Sequence, residues 1–288
     1  MRSAVEAPSP EIDAPARGTV ERWCWDLILT DSEESKLQPP ELRIGETHQW
    51  EQSSVPRRLA RPGRPTNWRV VQRSPRTPKA GAMADVSARA QLLHTFLHHE
   101  LQAAELFAWA VLAFPETPVR FRRGLVAILQ EELRHLHMYS GRLAQLGFEL
   151  GDFPVRDWFW ERVPAVADGL GFVGLMGMGL EAANLDHGAV FARRFRIAGD
   201  SKSAHLIEQV ERDEVRHVTF ARRWFRRWTG ALDFDCWAHN LPAPLTPALF
   251  QGRPINELAR EAAGLGGEFL RELREWSGRT AASGRDQT

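Results

Sequence analysis

The chain has 288 residues, 43% of them hydrophobic, which is enough for one large domain with appendages and a buried core. Its 37 Lys and Arg balance 37 Asp and Glu, excluding a global attraction to nucleic acid or anionic lipid and leaving any such binding to local patches. Cys24 and Cys236 form neither a ligand-spaced cluster nor a disulfide framework, the opening MRSAVEAPSPEIDAPARG lacks an apolar signal run, and no stretch approaches the roughly 18 apolar residues of a membrane span, so a reduced, cytoplasmic setting is expected.

Residues 1–85 read as a Pro/Arg-rich N-terminal arm with one short helix in TVERWCWDLIL. Within it, 57–79 carries eight Lys or Arg and no acid, and Pro at 56, 62, 65, 75 and 78 rules out regular helix there. That segment should run extended over a folded surface. Residues 86–230 form long helices. The first, SARAQLLHTFLHHELQAAELFAWAVLAF, ends at PETP, where Thr117 is placed to cap the second helix and Pro118 to take its first position. The second runs to Gly147, an expected stop. The seventeen residues FELGDFPVRDWFWERVP then lead to a third helix over about 165–198 and, after GD, a fourth over about 201–228. Residues 231–288 are a C-terminal extension: irregular to 253, an amphipathic helix over about 254–276 weakened by GLGG, and a mobile tail. Two helical hairpins with tight turns, joined by one longer crossover, describe an all-α four-helix bundle with an N-terminal arm and an extra C-terminal helix.

An internal repeat carries the chemistry. EELRHL at 131–136 and DEVRHV at 213–218 share the form acid, Glu, apolar, Arg, His, apolar, which pairs Glu132 with His135 and Glu214 with His217 at an offset of 82 residues. Glu100 and Glu181 precede the two pairs by 32 and 33 residues, and a second acid follows each by five, Glu105 and Asp186. In an antiparallel hairpin, residues equidistant from the turn share a height. The midpoint of Glu100 and Glu132 is residue 116, inside PETP, and that of Glu181 and Glu214 lies beside AGD. Glu105 is the fallback, because its midpoint with Glu132 falls past Pro118, inside the second helix.

Spacing of three puts each Glu and His on one helix face. Two such pairs and two further Glu therefore bring four carboxylates and two imidazoles to the bundle axis, the donor set of a carboxylate-bridged pair of iron or manganese ions. Buried carboxylates need such cations, because each unpaired burial costs several kcal/mol or more by typical magnitudes. No cysteine lies near to suggest structural zinc.

This set resembles the ferritin-like superfamily of di-iron carboxylate proteins. LLHTFLHHELQAAELFAWA, EELRHL and DFPVRDWFW, with WCWDLIL and RPGRP in the arm, resemble more closely a bacterial ferritin-like family classed as domain of unknown function 455. The superfamily resemblance implies Glu100, Glu132, His135, Glu181, Glu214 and His217 as ligands to two Fe ions, with Mn an alternative, and dioxygen chemistry by analogy. DEVRH is also similar to the hydroxylase subunits of multicomponent monooxygenases, which implies that Asp213 holds His135 and Glu131 holds His217. The competing reading gives both acids, with Arg134 and Arg216, to surface salt bridges. Tyr139, four residues after His135, stands where radical-forming ferritin-like subunits place a tyrosine, although packing explains it as well. Five Gly precede Glu181 in GLGFVGLMGMGLE. Each costs about 1 kcal/mol relative to Ala in a helix, so close packing or room for a substrate should offset them. His94, His98, His99 and His187 are expected in structural roles.

The leading expectation is an oxygen-activating oxidase or hydroxylase, whose partners would be dioxygen, a small-molecule substrate and an electron-donor protein, with a homodimer as a further candidate. A ferroxidase is the second reading. The third is a tRNA-modifying hydroxylase that binds nucleic acid through 57–79 and RRWFRRW at 222–228; against it, the first 50 residues carry ten acids and five bases and could neutralise the arm.

Overall fold

The structure, a computed structural model, describes residues 13–53 and 55–276; the first twelve residues, residue 54 and the tail after 276 lie outside the described residues. It is all-α, and β pairing among the described residues is limited to isolated bridges such as Val70 with Val155. In the arm, α1 (Val20–Leu29) starts at Thr19, whose hydroxyl accepts from the Arg22 N–H, and α2 (Glu33–Leu37) is an additional short turn capped by Ser32. The first hairpin is α3 (Val86–Ala113) and α4 (Val119–Gln145). The second is a composite helix and α7 (Ser201–Thr229), the composite being α5 (Gly169–Phe172), a π-helical stretch Val173–Glu181 and α6 (Ala182–Ile197). The extension adds α8 (Phe234–His239), α9 (Glu257–Ala262) and α10 (Gly267–Glu275). No helix among the described residues is long and apolar enough to cross a membrane.

The two hairpins pack through α4 against α7, and α1 lies along α3. From Glu100 to Ala113 every residue of α3 is buried, the pattern of a helix surrounded on all sides. The arm supplies its outer cover. The Arg57 N–H donates to the Leu112 carbonyl at the end of α3, and the Trp109 indole donates to the Leu59 carbonyl. The basic segment does run without helix, and three of its arginines turn to internal partners. Arg57 pairs with Glu51, Arg58 donates to carbonyls of residues 164–167, and Arg64 joins Glu105 and Asp157.

Several boundaries differ from expectation. The Thr117 hydroxyl donates back to the Phe114 carbonyl instead of capping, so Pro118 takes the N-cap position and α4 begins at Val119. The third helix begins at Gly169 because Asp168 caps it, accepting from the Gly171 N–H at 2.8 Å. The extra C-terminal helix is two, broken at Gly264, whose φ of +80° is left-handed. Residues 231–253, expected to be irregular, contain α8 and a short turn at Pro247–Phe250.

The glycines before Glu181 are offset by close packing. A Cβ on Gly177 would overlap the Ala221 Cβ of α7, and one on Gly179 would stand 3.1 Å from the Phe250 ring. The extension also holds the π-helical stretch from outside, through the Trp237 indole donating to the Gly174 carbonyl at 2.8 Å.

Candidate metal centre

Four helical elements bring six side chains to one buried point. Glu100 comes from α3, Glu132 and His135 from α4, Glu181 from the end of the π-helical stretch, and Glu214 and His217 from α7; none is more than 4% exposed. They form two groups, Glu100, Glu132, His135 and Glu214 in one, and Glu132, Glu181, Glu214 and His217 in the other. Within each group one ligand atom per residue lies within 4.8 Å of all the others, and each group could hold a metal ion. Glu132 and Glu214 belong to both.

The imidazoles present Nδ1 to this cluster. His135 Nδ1 has Glu100 at 3.4 Å, Glu132 at 3.5 Å and Glu214 at 3.8 Å, and His217 Nδ1 has Glu132 and Glu214 at 2.9 Å each. Their Nε2 atoms face the other way. His135 Nε2 lies 3.3 Å from Asp213, on the opposite helix, and His217 Nε2 lies 2.8 Å from Glu131. Arg134 donates to Asp213 at 3.0 Å, while Arg216 donates to both Glu131 and Asp213. The two acids thus contact a histidine inside and an arginine outside.

Without a cation, protons neutralise the centre. Burial raises Glu100 and Glu181 well above the ordinary carboxylate range, with neighbouring carboxylates pushing the same way. Burial would lower the histidines, but Glu100 and Glu132 overcome it and hold His135 up to about 11, and Glu214 and Glu132 raise His217 strongly. Glu132 is lowered, because the two imidazoles outweigh its burial. This exchange of protons leaves atoms unmatched. Both oxygens of Glu132, Glu181 Oε1, Glu214 Oε1 and His135 Nδ1 are buried and have no hydrogen-bond partner. Glu132 Oε1 is 2.9 Å from His217 Nδ1 yet receives no hydrogen bond from it, that ring atom being directed at Glu214. Unmatched oxygen and nitrogen donors converging on one point are what a bound cation satisfies.

Other candidates lie elsewhere. Glu105, the fallback, is not part of the cluster. Its carboxylate is held by Arg64 at 2.7 and 2.9 Å, Lys36 at 2.6 Å and the Trp160 indole at 2.8 Å. Tyr139 is buried and lines a cavity of about 30 Å³ together with Glu100 and Glu214; burial raises its phenol, with Glu100 next in effect. At its other side Phe96 packs 5.9 Å away. None of His94, His98, His99 and His187 joins either group. His94 accepts from the Gly151 N–H, and His99 and His187 pack against Phe159 and Phe191. Sequence reasoning missed Asn184, which lines the same cavity as Glu100. Its signal was the spacing of three from Glu181, the rule that paired each Glu with its His.

A protein of Haemophilus influenzae described as uncharacterized is 24% identical over 160 residues, which make up 53% of this chain. The chain spans 56% of that relative's length. No solved structure matches the chain. Residues 29–271 match the family described as protein of unknown function DUF455, and the chain belongs to that family.

Proposed function

We propose that the protein is a dinuclear metal carboxylate enzyme of the ferritin-like kind that uses dioxygen to oxidise a small organic molecule. The observation that carries this reading is the sharing of Glu132 and Glu214 between two groups that each keep one histidine and one further Glu of their own. Glu100 with His135 and Glu181 with His217 would each help hold one ion, with Glu132 and Glu214 available to both, and oxygen donors with imidazole favour iron, then manganese. A pair of ferrous ions supplies electrons to dioxygen when bound there. For a hydroxylation, the balanced change is a C–H and dioxygen giving C–OH and water, with two further electrons and two protons from an external donor.

The protein's own residues prepare this chemistry. Asp213 and Glu131 orient His135 and His217 through Nε2, leaving Nδ1 free to bind a metal. Four carboxylates offset the charge of two divalent ions, and the protons that Glu100, Glu181 and the histidines carry are released on loading. The cavity beside Glu100, Glu214 and Tyr139, at about 30 Å³, has room for a diatomic molecule or a water.

Anaerobic ferrous loading of the full chain should give close to two ions per chain, and oxygen exposure should produce a near-ultraviolet charge-transfer band. Glu214→Ala combined with His217→Ala should abolish both. Stoichiometry near zero in the unaltered protein would remove the reading.

A further inference from the structure

The seventeen-residue crossover, which carries no helix of the bundle, forms one wall of a groove beside α3. The groove has a volume of about 280 Å³, and its walls include Pro75 and Thr77 of the arm, Thr95 and His99 of α3, and Trp158 and Phe159 of the crossover. We propose that this groove binds the organic substrate, an uncharged flat molecule bearing an oxygen, and that the packed His99 and Phe159 rings gate its approach to the Glu100 and Glu181 side of the metal centre. The proposal rests on the metal reading above and names the substrate class for that site.

Three observations converge on it. The His99 and Phe159 rings lie 4.9 Å apart at 31°, and the same two side chains wall a smaller cavity of about 10 Å³ that is also lined by Glu100, Glu181 and Asn184. One ring pair therefore stands between the groove and a small cavity at the cluster. Rotation of either ring would join the two.

The second observation is charge. Arg156 lines the groove, and its guanidinium is engaged by Glu161 through bonds of 2.9 and 2.6 Å. A charged substrate would find no unpaired counter-charge there, whereas Pro75, Trp158 and Phe159 offer flat apolar surface.

The third observation is a hydrogen-bond donor poorly served by its one acceptor. Gln102 Oε1 accepts from the Phe159 N–H at 3.0 Å, which fixes the amide so that its nitrogen donates to His98 Nδ1 at 3.1 Å. His98 Nε2 must then carry the hydrogen. That atom is buried, its nearest acceptor is the Asp157 carboxylate at a long 3.4 Å and out of good alignment, and His98 lines the groove. A substrate oxygen would satisfy it. The Gln102 link also ties the backbone of the gate residue Phe159 to the same histidine.

The probe is 4-fluorophenol, which is neutral at pH 7, flat and oxygen-bearing. Its fluorine resonance should broaden saturably with the metal-free full chain, and Thr95→Trp, which fills the groove, should weaken binding at least tenfold. Thr77→Trp fills it from the arm and replaces Thr95→Trp if that variant fails to fold. Loading with cobalt(II) should add paramagnetic broadening to the bound probe, and Phe159→Ala should increase that broadening several-fold per bound probe. Absence of binding, binding indifferent to both tryptophans, or a cobalt-loaded protein that leaves the bound probe unbroadened overturns the proposal. A chain that takes up no cobalt overturns the metal reading and the gate with it, while the metal-free titration still decides the groove.

Discussion

Each acid beside the candidate metal centre is shared between a histidine and an arginine, and the two contacts differ in worth. Arg134 and Arg216 are 45% and 59% exposed, so their bonds to Asp213 and Glu131 are screened and worth about 0–1 kcal/mol. The contacts to His135 and His217 are shielded, since both rings are no more than 1% exposed. Glu131→Gln should therefore weaken cobalt binding about 10–100-fold by calorimetric titration, the usual effect of removing a partner that orients a ligating imidazole. Arg216→Ala should change it by less than about fivefold. Equal effects from the two variants would return Glu131 to surface salt bridging. The same protons set a pH dependence. His135 is raised from 6.5 to about 11 in the folded protein, so the folded state binds the extra proton and stability falls as pH rises from 6.5 towards 11. Glu100 and Glu181, raised well above 4.5, act in the same direction from that value upward. Glu132, lowered, contributes stability that is lost only in acid. Metal-free protein should thus have a lower Tm at pH 9 than at pH 6.5, whereas metal affinity should rise over the same interval because ions displace those protons. A metal-free Tm that climbs with pH would contradict the protonated cluster.

At the scale of the element, the helices that carry Glu100, Glu132, His135, Glu214 and His217 were legible because apolar period, turn residues and hairpin midpoint all agreed. The π-helical stretch that ends at Glu181 was not. Its glycines and large apolar residues read alike in α and π register, and the difference is made by partners distant in sequence: Ala221 against Gly177, Phe250 against Gly179 and Trp237 on the Gly174 carbonyl. Asp168, by contrast, is a cap readable from its position three residues before Gly171, and it sets a start downstream of the expected 165. Such a widened register is characteristic of functional sites, and here it adjoins a candidate ligand. Gly177 is four residues before Glu181 and in direct opposition to α7, so its substitution tests the link between packing and the site. In an ordinary helix Gly→Ala would gain about 1 kcal/mol. Here overlap with Ala221 should win, since forcing a methyl group into a packed interface costs about 1–3 kcal/mol. Gly177→Ala should lower Tm by several degrees and weaken metal binding by moving Glu181 away from Glu214. Adding Ala221→Gly should recover at least about 1 kcal/mol relative to the sum of the single changes. An additive double variant would place the strain elsewhere.

At the scale of the whole molecule, the repeat reaches further than the metal centre. Glu105 and Asp186 were visible as equivalent acids five residues after Glu100 and Glu181, but their partners lie 41 to 74 residues away, where no periodicity connects them. The structure gives both the same task, each clamping one extension to the bundle. Glu105 binds Arg64 and Lys36 of the arm, and Asp186 binds Arg260 of the C-terminal extension through bonds of 2.9 and 2.7 Å while accepting the Gly252 and Asn256 N–H groups. From Glu100 to Ala113 α3 is buried on all sides, with the arm bonded to it at Leu112 and Trp109, and the π-helical stretch is backed by Trp237 and Phe250 of the other extension. The Asp186–Arg260 pair is almost wholly excluded from solvent, at 0% and 1% exposure, so losing one partner leaves an uncompensated charge, which costs about 3–5 kcal/mol. Arg260→Met should therefore destabilise the protein by about that amount in urea unfolding. Asp186→Asn added to it should restore at least about 1 kcal/mol, because the neutral amide oxygen can still accept a backbone N–H without a buried charge. The corresponding change in the arm, Lys36→Met, should cost less than Arg260→Met, since Glu105 retains two bonds from Arg64 and one from Trp160. Equal losses from Lys36→Met and Arg260→Met would mean that the two clamps do not differ in the way their remaining partners require.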